Sequence, residues 1–446
     1  MSDPVIQSLR ARRVWDSRGR PTVEAEIALS DGVVGRAIAP AGASRGRSEA
    51  VEKRDGGSRL GGLDVRGAVE GILTEIAPAL TGADPFDQAA LDATLVELDG
   101  SDNLARLGGN ALTAVSLAVL HAAAASRRLP LWRYLAGDGP ALIPLPEIQI
   151  FGGGAHAGRR TDVQDLMIMA LRAESFGQAL EITAEVYHAA GKIMAERGLL
   201  MGVADEGGWW PAFQNNEQAL DTLMFSIERA GLTPGADVAI SLDVAASEFA
   251  EGGRYRLGLE KRELDTDGLA ELLLSWCARY PILSIEDPFA EDDVAGFQRF
   301  MAAVGDRVQI VGDDLLVTNA ARVAEAACVG SANAVLIKVN QAGTVSRAKQ
   351  AFDEGRRQNF GTIVSARSGE TEDTSIAHLA IGWGARQIKV GSFARSERMA
   401  KWNEVLRIEE ALGAKARFAG LGGMPARRRE RRNFSPLVEH KLPFSV

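Results

Sequence analysis

The chain has 446 residues, 46% of them hydrophobic and 24% charged, with two cysteines and a formal net charge of −9. That is the composition of a folded globular protein, which excludes a disordered chain and, with so few cysteines, a mini-protein held by disulfides. At roughly 150 residues per domain, the length predicts two or three domains, or one small domain beside a large barrel.

The longest nearly apolar run, Ala114 to Ala125, falls short of the roughly 20 residues that cross a bilayer. Residues Met1 to Arg10 lack the apolar core of a secretory signal. The expectation is a cytoplasmic protein without a membrane partner. The net negative charge argues against nucleic acid, which selects basic surfaces. The charge is uneven, however. Lys415 to Val446 carries eight Lys or Arg against two Glu, including Arg427-Arg-Arg-Glu-Arg-Arg432. Such a block reads as a solvated tail, with polyanion binding as the sharper alternative.

In chain order, Thr22 to Leu29 alternates as a half-buried strand does, Asp31-Gly32 supplies a hairpin turn, and Val33 to Ile38 forms the returning strand. The small, Gly-punctuated stretch Ala39 to Gly46 reads as a mobile loop. Ala111 to Ala125 has the Ala and Leu content of a buried helix. These elements predict a small α+β unit over residues 1–135.

Beyond Ile143 short apolar runs recur, each ending on a polar residue. They are Val238–Asp243, Ile282–Glu286, Val308–Asp313, Ala334–Lys338, Gly361–Ser365 and Gln387–Lys389. The spacing of the last five, near that of one strand plus one crossover helix, indicates a parallel βα array. A closed barrel is favoured over an open sheet, because a barrel gathers successive strand ends at one mouth.

Asp243, Glu286 and Asp313 end three such strands. Three carboxylates aimed at one point repel unless a cation lies between them, and oxygen ligands without His or Cys suit Mg²⁺. Lys338 ends the next strand, as a general base or as the salt-bridge partner of a carboxylate. Lys389 reads as a clamp for an anionic group, and Arg367 with Ser368 as a phosphate site. Glu206, Gln164 and Asp165 add polar loop groups.

These residues carry a resemblance. Asp16-Ser-Arg-Gly19, Pro21-Thr-Val-Glu-Ala-Glu26, Asp205-Glu-Gly-Gly208, Ser284-Ile-Glu-Asp287, Val311-Gly-Asp-Asp-Leu315, Lys338-Val-Asn-Gln341, Arg367-Ser-Gly-Glu-Thr-Glu-Asp373 and Arg407-Ile-Glu-Glu-Ala-Leu412 run in order along the chain. Together they resemble the enolase (phosphopyruvate hydratase) family from Val5 to Leu412. The resemblance implies an α/β fold: a modified (β/α)8 barrel over residues 143–412, preceded by a small α+β domain and followed by a basic extension, 413–446. It also implies a homodimer or higher homo-oligomer. Asp243, Glu286 and Asp313 resemble the ligands of a tightly held Mg²⁺, and Ser44 a ligand of a second Mg²⁺ that arrives with substrate. Lys338 matches the base and Glu206 the acid, with Asp165 standing where the family has Glu; His156, Gln164, Arg367, Ser368 and Lys389 match substrate contacts.

Three places depart from the family pattern. Ala41-Gly-Ala-Ser-Arg-Gly46 stands for Ser-Gly-Ala-Ser-Thr-Gly, Gly152-Gly-Gly-Ala-His-Ala157 for Asn-Gly-Gly-Glu-His-Ala, and Ser365-Ala-Arg-Ser368 for Ser-His-Arg-Ser. Ala366 opens space, while Arg45, Arg159 and Arg160 add positive charge near the mouth. The function expected from these changes is a specialised enolase relative acting on a phospho- or phosphono-carboxylate, as carboxyphosphonoenolpyruvate synthase does in phosphonate biosynthesis. The alternatives are an ordinary phosphopyruvate hydratase and a non-catalytic polyanion-binding scaffold.

Overall fold

The computed structural model describes residues 3–424. The Arg-rich run 427–432, on which the scaffold alternative rests, lies outside the described residues.

The chain opens with an antiparallel sheet, β1 (Ile6–Trp15), β2 (Pro21–Leu29) and β3 (Val34–Ile38), in that spatial order. Gly32 closes the β2–β3 turn at φ 87°, a backbone conformation that favours glycine. Contrary to the half-buried strand expected, β2 is buried along nearly its whole length. One face meets apolar packing. On the other, Glu24 is covered by arginines rather than by water, pairing with Arg12 and with Arg36 at 3.6 Å. Among the helices that follow, the two longest are α1 (Gln88–Asp99) and α2 (Gly109–Ser126). Helix α2 is 18 residues long and apolar, and it is buried inside the protein as a core helix. It packs so closely on β3 that a Cβ at Gly35 would come within 2.2 Å of the Ala122 backbone nitrogen.

Eight strands then close a barrel. In chain order they are β4 (Leu145–Gly152), β5 (Asp165–Ala170), β6 (Val238–Asp243), β7 (Ile282–Glu286), β8 (Gln309–Gly312), β9 (Ala334–Ile337), β10 (Gly361–Ser365) and β11 (Gln387–Ser392). The ring runs in that order and shuts where β11 pairs with β4 in parallel. Only β5 breaks the parallel rule, running antiparallel to both neighbours. The mouth therefore receives the first residue of β5, and Asp165 faces Asp243, the last residue of β6.

Outside the ring lie α3 (Phe176–Glu196), α4 (Asn216–Arg229), α5 (Thr266–Arg279), α6 (Val294–Val304), α7 (Ala320–Val329), α8 (Val345–Arg357), α9 (Ser375–Trp383) and α10 (Ser396–Leu412). Side chains that satisfy free first-turn amides start many of them: Ser175, Asn215, Asp265, Asp293, Asn319 and Thr344. The small domain docks on the late barrel loops. Thr113 Oγ1 donates to the Gly343 carbonyl, the Ile38 amide to Asp373, and Ala41 bridges Gly369. This docking lays loop 41–50 across the barrel mouth.

Candidate active site

A small polar cleft opens at the mouth. Its lining includes Ser44, His156, Gln164, Asp165, Glu206, Asp243, Lys338, Arg367, Ser368 and Lys389, so all but two of the expected residues face one space. The exceptions, Glu286 and Asp313, lie behind the two lysines.

Lys389, on β11, donates to Asp243 Oδ2 and to Glu286 Oε2 at 2.8 Å each, and lies 3.4 Å from Asp165. Burial alone would lower its pKa, but Asp243 and Glu286 outweigh burial and hold it well above the usual lysine value. Lys338, at the end of β9, pairs with Asp313 in the same way. Burial lowers its pKa, Asp313 and Glu286 together more than offset that, and the ammonium persists. Two lysines thus divide the three acids that were expected to share one cation. Among the described residues the most tightly gathered ligand sets are Asp287–Asp313–Asp314 and His156–Asp165–Glu206.

Residues Asp243, Glu286 and Asp313 nevertheless suit a hard divalent cation. All offer carboxylate oxygens, and Glu286 Oε1 is buried with no hydrogen-bond partner. Burial and the neighbouring Asp243 push the Glu286 carboxyl well above its usual range, the strain a bound cation relieves.

The opposite wall carries the acid side. His156 Nδ1 is 3.3 Å from Asp165 Oδ1, and its Nε2 is 3.8 Å from Glu206 Oε1. Burial opposes charge on the ring, but Glu206 and Asp165 raise its pKa above the usual value. Asp165 is held below the carboxylate range, because Lys389 and His156 outweigh its burial; Gln149 also donates to it. Gln164 donates to Asp243 at 3.2 Å, and its own Oε1 is buried without a partner beside the cleft.

Arg367 follows β10 and is fully engaged. It donates to Glu49 Oε2 at 2.9 Å, to Asn340 Oδ1 at 3.1 Å and to the Ser44 carbonyl at 2.9 Å. The Ser368 hydroxyl accepts from Arg18 at 3.1 Å. Glu49, Asn340 and Arg18 were not among the expected residues. Arg18 and Asn340 stood in resemblance strings without a role assigned, and no motif marks Glu49; the three are far apart in sequence and come together at the joint of the small domain with the barrel. Gln341 and Asp287 also stood in resemblance strings. Asp287 accepts the amides of Asp313 and Asp314 at 3.0 and 2.7 Å, and so shapes the loop after β8. Asp314, buried beside Asp313 and Asp287, is pushed up to about 9.

The arginines expected to charge the mouth do not line the cleft. Arg45 turns to Glu52 at 3.7 Å, Arg159 turns to Glu248 at 3.3 Å, and Arg160 faces solvent; none lines the cleft. Ala366 does line it, with its methyl packed into the core.

Fold and site together define a barrel protein with a small capping domain and a polar cleft at the barrel mouth lined by buried lysines and carboxylates. Residues 6–135 match the family described as "Enolase, N-terminal domain" and residues 140–425 that described as "Enolase, C-terminal TIM barrel domain". The chain is 48% identical over 424 residues to a protein named "Enolase" from Acidothermus cellulolyticus, spanning 94% of this chain and 98% of that one. The chain belongs to the enolase family, and it is a hydro-lyase of that superfamily. This near full-length identity overturns the expected specialised phosphonate enzyme. That expectation weighed local departures above the agreement of the whole chain, and Arg45, Arg159 and Arg160 do not line the cleft.

Proposed function

We propose that the protein is a phosphopyruvate hydratase, converting 2-phosphoglycerate to phosphoenolpyruvate and water. The observation that carries this reading is one cleft with Lys338 on one wall and the Glu206–His156 pair on the other. The identity to a full-length enolase supports it.

In this reading Lys338, as the free amine, takes the proton next to the substrate carboxylate. The electron pair moves into that carboxylate, which becomes a dianion. The hydroxyl at the next carbon then leaves with a proton from Glu206, so phosphoenolpyruvate and one water are formed. His156 and Asp165 orient Glu206, Arg367 and Ser368 face the phosphate, and Lys389 and Gln164 face the carboxylate. Asp243, Glu286 and Asp313 would hold Mg²⁺, and Ser44 would help hold a second ion when substrate is present; bound there, the ions would supply positive charge to stabilise the dianion. The reading assigns capping to residues 1–135 and chemistry to residues 143–412, with 413–446 as an extension. It implies a cytoplasmic homo-oligomer, in keeping with two cysteines that are free thiols.

Phosphorus NMR of 2-phosphoglycerate with Mg²⁺ tests this directly. Wild type should form phosphoenolpyruvate, and Lys338→Ala should lower kcat roughly 10²–10⁴-fold. Absence of product from a folded wild type in Mg²⁺ would sink the reading.

A further inference from the structure

Val317 and Thr318 sit at φ 43° and 50°, two consecutive β-branched residues in the left-handed region. Each such residue costs on the order of 1–3 kcal/mol and persists only where its surroundings dictate the conformation. Here the Val317 amide is held by the Asp313 carbonyl at 2.7 Å, and Asn319 immediately caps α7. The strained turn is thus pinned at both ends, and it delivers one group: the Thr318 hydroxyl, buried beneath the mouth.

That hydroxyl accepts the Lys338 backbone amide at 2.9 Å and donates to Gln341 Oε1 at 2.6 Å. A hydroxyl has one proton, and the distances give it to Gln341 rather than to the Leu336 carbonyl at 3.4 Å. With Oε1 committed, the Gln341 amide must point its N–H groups the other way. They reach Asp313 Oδ1 at 2.7 Å and Glu49 Oε1 at 3.2 Å. One hydroxyl therefore fixes the backbone that carries Lys338 and the amide that holds Asp313, the partner of the Lys338 ammonium. Thr318 itself does not line the cleft.

We propose that Thr318 is a positioning residue for the base, holding Lys338 and its partner Asp313 in register from below. The catalytic half of this inference rests on the hydratase reading; the contact half does not. A glycine at 318 would carry no backbone strain and no hydroxyl, so the strained threonine is explained by the bond it makes.

The test compares Thr318→Val and Thr318→Ser with wild type in kcat and KM for 2-phosphoglycerate, together with hydrogen exchange of the segment around Lys338. A misplaced reacting group costs roughly tenfold to a hundredfold. Thr318→Val should therefore lose that much kcat with KM within about twofold, and its Lys338 amide should exchange faster. Thr318→Ser, which keeps the hydroxyl, should stay near wild type in both. Equal kcat for Val and wild type, or equal losses for Val and Ser, would overturn the proposal. If wild type makes no phosphoenolpyruvate, the hydratase reading falls, and exchange still decides: unchanged protection at Lys338 in Thr318→Val rejects the positioning role, and faster exchange restored by Ser sustains it.

Discussion

Glu147 sits in register with Lys389 on the adjoining strand, wholly inside the barrel. Ser241 donates to one of its oxygens at 2.8 Å, and the other has no partner. Burial pushes this carboxyl up to about 7 from 4.5, with Ser241 and Lys389 opposing the rise. The folded protein then binds a proton that the unfolded chain has released between those two values. Stability from this group is complete below pH 4.5 and is lost as pH rises through about 7. Glu147→Gln should accordingly gain on the order of 1–3 kcal/mol over wild type at pH 8 and almost nothing at pH 4.5. Urea titrations at the two pH values measure the difference, and an equal gain at both would show that charge is not the cause.

Between elements, the joint of α2 with α9 carries an acid-sensitive pair. His121, on α2, meets the Ser375 hydroxyl at 2.7 Å, and His378, on α9, meets Glu404 at 3.4 Å. Burial lowers both rings. For His378, Glu404 opposes the drop and His121 adds to it, leaving a value of about 4. The unfolded ring takes its proton near 6.5, so the joint loses stability as pH falls from there through about 4. His378→Gln should flatten the fall of Tm with acid over that range, which a melting series across it will read. The same scale explains what was legible beforehand. Strands β6 to β11 stood out as apolar runs with polar ends. Strand β5 did not, because it runs backwards and carries its functional residue, Asp165, at its start. Strand β4 hides Glu147 and Gln149 inside the ring and so never reads as an apolar run. The acids and lysines at strand ends were legible one by one, whereas Glu49 and Thr318 become visible only once loops distant in sequence are brought together.

For the molecule as a whole, the mouth gathers more carboxylates than its two lysines can neutralise, so a divalent cation that binds the folded ring and not the open chain must stabilise it. Saturating Mg²⁺ should raise Tm by a few degrees, chelation should reverse the rise, and Asp313→Asn should abolish it; a Tm indifferent to Mg²⁺ would contradict the site. The closure of the ring has a bearing on how the protein is made. Strand β11 is the last of the barrel to leave the ribosome, and it brings Lys389 to Asp165, Asp243 and Glu286, all synthesised earlier. Until then the nascent barrel is an open sheet edged by acids without their counter-charge. Sealing the wall and neutralising its mouth are one event, so a partly translated chain has neither a finished barrel nor a working site, and truncation just before Gln387 yields an acidic fragment rather than a weaker enzyme.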